Sequence, residues 1–281
     1  MTDYVTNFDL FGQTVYVKDE EAREQISTIG DSISAISEEV TSLTNRVNGI
    51  SELPAAFDVK KYGDTSWLVT EFKSNKLHAL PTNGNRNSPW LNPVDLYTFS
   101  KTSPYRLLFN GGLAAGCVLD GVLNTEYLNN TSAMYYLSLD NLNAIINKNI
   151  DASTLVNLGQ NVIGIWSPII QNHAAFNYSV LSDFESYESI CLTKHERQVL
   201  AEMDDGSLRS YVCLDATPFD VGANYDDMIA FFTTENVKNA FNLDGGGSCA
   251  VVVDKVPTFP PANNTTYGRD NSICIGVEVY E

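Results

Sequence analysis

Asp244 is the residue of this chain best placed to do chemistry. It stands in Asn242-Leu243-Asp244-Gly245-Gly246-Gly247-Ser248, where a carboxylate can act as acid, base, nucleophile or metal ligand. Three glycines in a row are costly unless the backbone has to approach something closely, and successive N–H groups in such a turn can form a nest for an anion. Glycine linkers sit among polar residues. This run instead lies between Ala240 to Leu243 and Cys249 to Val253, both of which read as strands. The glycines therefore turn inside a folded core, and a tight turn capped by Asp244 is the alternative to a site. His195 lies two residues before Arg197, so on a strand the two side chains share a face; His195 is either a general acid or base or a structural residue, and His78 and His173 have weaker claims. Asn110 and Asn242 either contact ligand hydroxyls or fix loops. Ser248 can donate to a bound anion, but no neighbouring base marks it as a nucleophile. No His/Cys cluster suggests zinc, while a calcium or magnesium ion held by carboxylates stays open.

The elements that must position these residues follow from pattern. From Phe57 onward, short apolar runs alternate with turn signals, as in a domain dominated by β-structure. Asp120-Gly121 and Asp205-Gly206 predict hairpins, and Asn83 to Pro93 predicts an exposed loop. Helices are expected over Ala152 to Leu158, capped by Asp151, and Asp226 to Val237, with Asn224 available as a cap. The fold class is α+β: a long, mostly antiparallel sheet with a few helices, carrying the active-site loops at one edge and preceded by an N-terminal coiled coil. Cys117, Cys191, Cys213, Cys249 and Cys274 are odd in number and widely spaced, which predicts buried inert thiols and no disulfide framework.

The motif around Asp244 resembles the signature of the phosphodiester glycosidase family. Leu108-Phe109-Asn110-Gly111-Gly112, Arg197 ahead of the Asp205-Gly206 hairpin, and Gly268-Arg269-Asp270-Asn271 before a final strand over Ser272 to Val279 follow in the family's order. The resemblance covers about residues 55–281. It implies hydrolysis of a sugar-phosphodiester, with Asp244 as the catalytic carboxylate or a metal ligand. Arg197 and Arg269 would hold the phosphate through planar, bidentate donors, and His195 would assist. Asn110 and Asn242 would meet sugar hydroxyls, and amides of Gly111, Gly112, Gly245, Gly246 and Gly247, with Ser248, would face the phosphate. The chain departs from the family pattern at Leu113-Ala114, at Cys249 and in Arg197-Gln198-Val199-Leu200-Ala201.

The chain has 281 residues and a net charge of -18. That charge argues against binding nucleic acid or an anionic membrane surface. It also means that an anionic polymer must be drawn in locally, by arginines and backbone amides. No secretory apolar region follows Met1 and no run is long enough to span a bilayer, which predicts synthesis in a bacterial cytoplasm. Ile26, Ile29, Ile33, Ile36, Val40, Leu43, Val47 and Ile50 alternate spacings of three and four, a coiled-coil seam whose early β-branched positions favour a parallel trimer; a helix docked on its own domain is the alternative. Gly49 and Pro54 mark its end. The expected domains are an attachment segment over 1–20, a homotrimeric stalk over 21–51 and a phosphodiester glycosidase-like domain over 55–281. This layout resembles bacteriophage tail-fibre proteins. It implies a virion tail protein, joined through its N-terminus to a tail or baseplate protein, that cleaves sugar-phosphodiesters in host cell-wall teichoic acid or capsule. The alternative is a non-catalytic receptor-binding head for the same glycans.

Overall fold

The β-rich body folds into three separate antiparallel sheets, a correction to the one long sheet expected. The computed structural model describes residues 6–10, 13–17, 56–72, 76–130, 132–213, 222–258 and 270–278. Two compact units divide the chain, Met1–Leu53 and Pro54–Glu281. In the first, β1 (Thr6–Leu10) and β2 (Gln13–Val17) pair as an antiparallel hairpin. The heptad seam over 26–50 lies outside the described residues.

In the second unit the largest sheet runs in the order β13 (Ala174–Ala175), β12 (Ser167–Gln171), β16 (Asn239–Asn242), β14 (Arg197–Glu202), β15 (Leu208–Cys213), β4 (Thr65–Phe72) and β3 (Ala56–Tyr62). A second sheet has the order β18 (Val256–Pro257), β17 (Val251–Val253), β6 (Leu107–Asn110), β19 (Ile273–Val277) and β5 (Leu77–Pro81). The third is β10 (Ala144–Ile146), β9 (Tyr135–Ser138), β11 (Val162–Ile165), β7 (Leu113–Leu119) and β8 (Val122–Asn124). Central strands such as β14 and β6 are buried along almost their whole length, so they read as continuous apolar runs and not as alternating ones.

The capping signals act as their chemistry requires. α2 (Ala152–Leu158) starts at Asp151, whose carboxylate accepts from the Thr154 N–H at 2.8 Å. α3 (Tyr225–Thr234) carries a reciprocal capping box: Asn224 Oδ1 accepts from Asp227 N, and Asp227 Oδ2 accepts from Asn224 N. Two such bonds satisfy donors that a helix start leaves open. The buried stripe of α3 packs Phe231 flat on Trp67, with centroids 4.8 Å apart, and Phe232 edge-on to Tyr211 at 5.0 Å. A short α1 (Leu96–Ser100), capped by Asp95, was not expected.

Three of the places where the chain changes sheet lie together. Gly111 and Gly112 carry it from β6 to β7, Trp166 from β11 to β12, and residues 243–250 from β16 to β17. Asp244 N donates to Gly111 O at 3.2 Å, and Trp166 N to Asn242 O at 3.0 Å. The site therefore sits at a three-sheet junction and not at a sheet edge. Backbones this close leave no room for side chains. A Cβ on Gly112 would meet Ile163 Cβ at 3.2 Å, and one on Gly164 would meet Ala115 Cβ at 2.7 Å.

Candidate active site

The glycine bend is held from behind and open in front. Asp244 through Gly247 are partly exposed, while Asn242, Leu243, Ser248 and Cys249 are buried. A single turn of 3-10 helix, Gly246–Ser248, closes the bend, with Gly246 at φ 59°. Its anchors come from three directions. Asn110 Nδ2 donates to Asp244 O at 2.7 Å, Gly246 N donates to Glu196 O at 2.9 Å, and Asn271 Nδ2 reaches Ser248 O at 3.3 Å. Gln198 clamps the exit: its Oε1 accepts from Ala250 N at 3.0 Å and its Nε2 donates to Ala250 O at 3.3 Å.

The amides of the bend fall into two sets. The N–H groups of Asp244, Gly246, Ser248 and Cys249 all donate to main-chain carbonyls, whereas among the described residues those of Gly245 and Gly247 have no such acceptor. A Cβ on Gly246 or Gly247 would meet nothing within 4 Å, but one on Gly245 would lie 2.7 Å from Glu196 O. The glycines thus differ in function. We expect Gly245→Ala to force the bend off Glu196, costing about 1–3 kcal/mol as overpacking does and lowering any activity with it. Gly247→Ala should leave thermal stability within about 0.5 kcal/mol of the wild type and raise KM if a ligand fills the space in front. Melting curves and Michaelis kinetics on the two variants measure this.

The remaining site candidates divide between fixing the bend and facing it. Asn110 and Asn242 are fully buried: Asn110 ties down Asp244, and Asn242 Nδ2 lies 3.2 Å from Tyr225 Oη, which in turn meets Ser167 Oγ at 2.7 Å. Both Nδ2 groups bond within the protein, while both Oδ1 atoms are buried with no hydrogen-bond partner among the described residues. Gly111 and Gly112 are buried where backbones cross. Arg197 is 1% exposed, and its Nε donates to Ala223 O at 2.8 Å while Nη2 donates to Ile190 O at 2.7 Å and Thr193 O at 2.9 Å. In this arrangement those donors hold main chain and not a phosphate. Burial pulls the guanidinium below its usual pKa range, though an arginine stays charged under such a shift. His195 turns the same way: its Nε2 lies 2.9 Å from Ser189 O, so that nitrogen carries the proton. Arg269 lies outside the described residues.

Glu196 was missed by the sequence reading. Its carbonyl holds Gly246 and it is 2% exposed. Burial, then Cys213, then the charges of Glu196 and Asp244 push the Cys249 thiol well above its ordinary pKa. Both carboxylates therefore act on one buried thiol at the foot of the bend. The available signal was alternation: Glu196 falls two residues before Gln198, on the strand face opposite Arg197. All five cysteines are buried free thiols. Among the described residues no group of three or more His, Cys, Asp or Glu is set to hold a metal ion, and no helix is long and apolar enough to cross a membrane.

A carboxylate on an anchored, partly exposed bend, with two amides that have no main-chain acceptor among the described residues, can serve a displacement at a carbon bearing an anionic leaving group. The comparisons give the fold and the family. In fold, the chain is similar to the zebrafish N-acetylglucosamine-1-phosphodiester alpha-N-acetylglucosaminidase catalytic domain auto-inhibited by its pro-peptide, with a TM-score of 0.63, 16% identity, and coverage of 80% of this chain and 83% of that chain. It is also similar to a hypothetical protein from Synechocystis, with a TM-score of 0.55, 13% identity, and coverage of 80% and 61%. No curated protein matches the sequence. The phosphodiester glycosidase family model matches residues 100–278, more than half of the chain and the whole of the three-sheet junction, and the chain belongs to that family.

Proposed function

We propose that the protein hydrolyses a sugar-phosphodiester linkage in a bacterial surface glycan, teichoic acid or capsule, with Asp244 as the catalytic carboxylate. The observation that carries this reading is the bend itself, anchored from three sides through Asn110, Glu196 and Asn271 and open to solvent at Gly246 and Gly247. Rigid support of that kind is what holds a reacting group in position. Water adds across the bond between the anomeric carbon and the phosphate oxygen, giving a reducing sugar and a phosphomonoester. Asp244 attacks the anomeric carbon or activates the water, and Glu196 is the second carboxylate that such a reaction uses. Amides of Gly245 and Gly247 meet the phosphate, with Arg269 as the cation and His195 as an auxiliary acid. Incubating the protein with purified teichoic acid and capsule, with products read by mass spectrometry, tests this. Release of both products supports it, and intact polymer refutes it.

One observation favours a second reading, a receptor-binding head without turnover. The donors of Arg197 are occupied by carbonyls, and Cys249 stands where the family has a small polar residue. Saturable binding of the polymer with no product would establish that reading.

The heptads over 26–50 support a homotrimeric stalk that carries this domain on a phage tail or baseplate protein, acting at the host surface. Sedimentation of the full chain should then give three times the 31.0 kDa chain mass; a monomer would end the stalk proposal.

A further inference from the structure

The loop between β5 and α1 grows directly out of the glycine bend's support. Thr82 N donates to Ser272 O at 3.1 Å, and Val94 bridges Asn271, the residue that holds Ser248. Between these two roots the loop carries a half-buried Trp90 and an exposed Leu91, Leu91 being 61% exposed. Trp90 meets Tyr127 edge-on, with centroids 5.7 Å apart and an interplanar angle of 84°. Tyr127 is 45% exposed and sits at φ 60°, a left-handed backbone that costs a bulky residue about 1–2 kcal/mol. The exposed ring repays little of that by burial.

The platform is fixed and rimmed by amides. Asn83 Nδ2 donates to Ser88 O at 2.8 Å and Leu91 O at 2.6 Å, which sets the loop's shape, and Asn124 Nδ2 donates to Asn87 O at 3.1 Å, which joins it to the turn bearing Tyr127. Arg86, the loop's cation, is paired with Asp120 at 2.5 Å. Exposed Asn85 and Asn87 offer the donor and acceptor pairs that sugar hydroxyls match. Rigid aromatic rings ringed by a few polar groups suit a ligand with one apolar face and a hydroxylated rim.

We propose that Trp90 and Tyr127 form a second subsite, which stacks an uncharged sugar ring of the polymer next to the linkage held at the glycine bend. The proposal deepens the glycan-hydrolase reading and rests on it, but its test reads binding alone. An array of uncharged oligosaccharides is probed with the full-length wild type, Asp244→Asn, Trp90→Ala, Tyr127→Phe and Tyr127→Ala. The expected result is binding of at least one neutral oligosaccharide by the wild type and equally by Asp244→Asn and Tyr127→Phe. Trp90→Ala and Tyr127→Ala should weaken it at least about tenfold, as loss of a stacked ring does. No neutral oligosaccharide bound, or equal binding by Trp90→Ala in a protein that melts like the wild type, overturns the subsite. Binding that depends on Trp90 in a protein that cleaves no polymer leaves the subsite standing and removes the hydrolase.

Discussion

Asp244→Asn is expected to lower the rate of product release from the polymer by about 10³-fold, within the range for loss of a positioned acid or base, while polymer binding persists. The substitution keeps the side chain's size, and the bend is held at this residue through the main chain: Asp244 N donates to Gly111 O, and Asp244 O accepts from Asn110 Nδ2. Those main-chain anchors survive the substitution, so the variant should fold, and a melting curve recorded beside the kinetics checks this. Glu196→Gln provides the comparison, since its carbonyl also holds the bend while its side chain is enclosed. If Asp244 is the nucleophile and Glu196 the acid, Glu196→Gln loses one limb of the pH–rate profile and Asp244→Asn loses turnover throughout. Undiminished turnover in Asp244→Asn would remove this carboxylate from the chemistry and shift the candidate to Glu196.

Local signals in the sequence were legible because each acts over a few residues. Asp151 and Asn224 cap the helices they were expected to cap. The Asp120-Gly121 and Asp205-Gly206 turns close hairpins, with Gly121 and Gly206 at φ 82° and 78°. Both strands flanking the glycine run form, as β16 and β17. What sequence could not show is convergence. Asn110, Glu196 and Asn271 reach one bend from positions far apart in the chain, and nothing in their neighbours marks that meeting. The three sheets escaped notice for a related reason: a strand buried on both faces has the same apolar run whichever sheet it joins. Arg197 is the sharpest case. Its place in the family's order implies a phosphate ligand, but one of its three acceptors, Ile190 O, lies in a turn over residues 188–192 with five-residue π periodicity, which no simple pattern of apolar spacing announces.

That occupied arginine leads to the largest expected effect on stability. Arg197→Met should destabilise the domain by about 3 kcal/mol, the upper end for hydrogen bonds made by a charged group, and lower its melting temperature by roughly 10 °C at the usual conversion for a domain of this size. The guanidinium is the shared donor for three carbonyls on two irregular segments, Ile190 and Thr193 on one side and Ala223 on the other. Methionine fills much of the volume and replaces none of these bonds; Ala223 O keeps the His195 N–H at 3.2 Å, while Ile190 O and Thr193 O lose their side-chain donor. Arg197→Lys should recover only part of the loss, because one ammonium cannot span acceptors that Nε and Nη2 reach separately. The defect should also be local: amide hydrogen exchange should rise first across residues 190–193 and 223, and spread through Tyr225, 5.9 Å from the guanidinium, to Asn242 at the base of the bend. A phosphate-clamping Arg197 would behave in the opposite way. Arg197→Lys would then melt like the wild type and show its loss in KM for an anionic substrate, so thermal melts and kinetics on the same two variants decide whether this arginine holds the protein or the ligand.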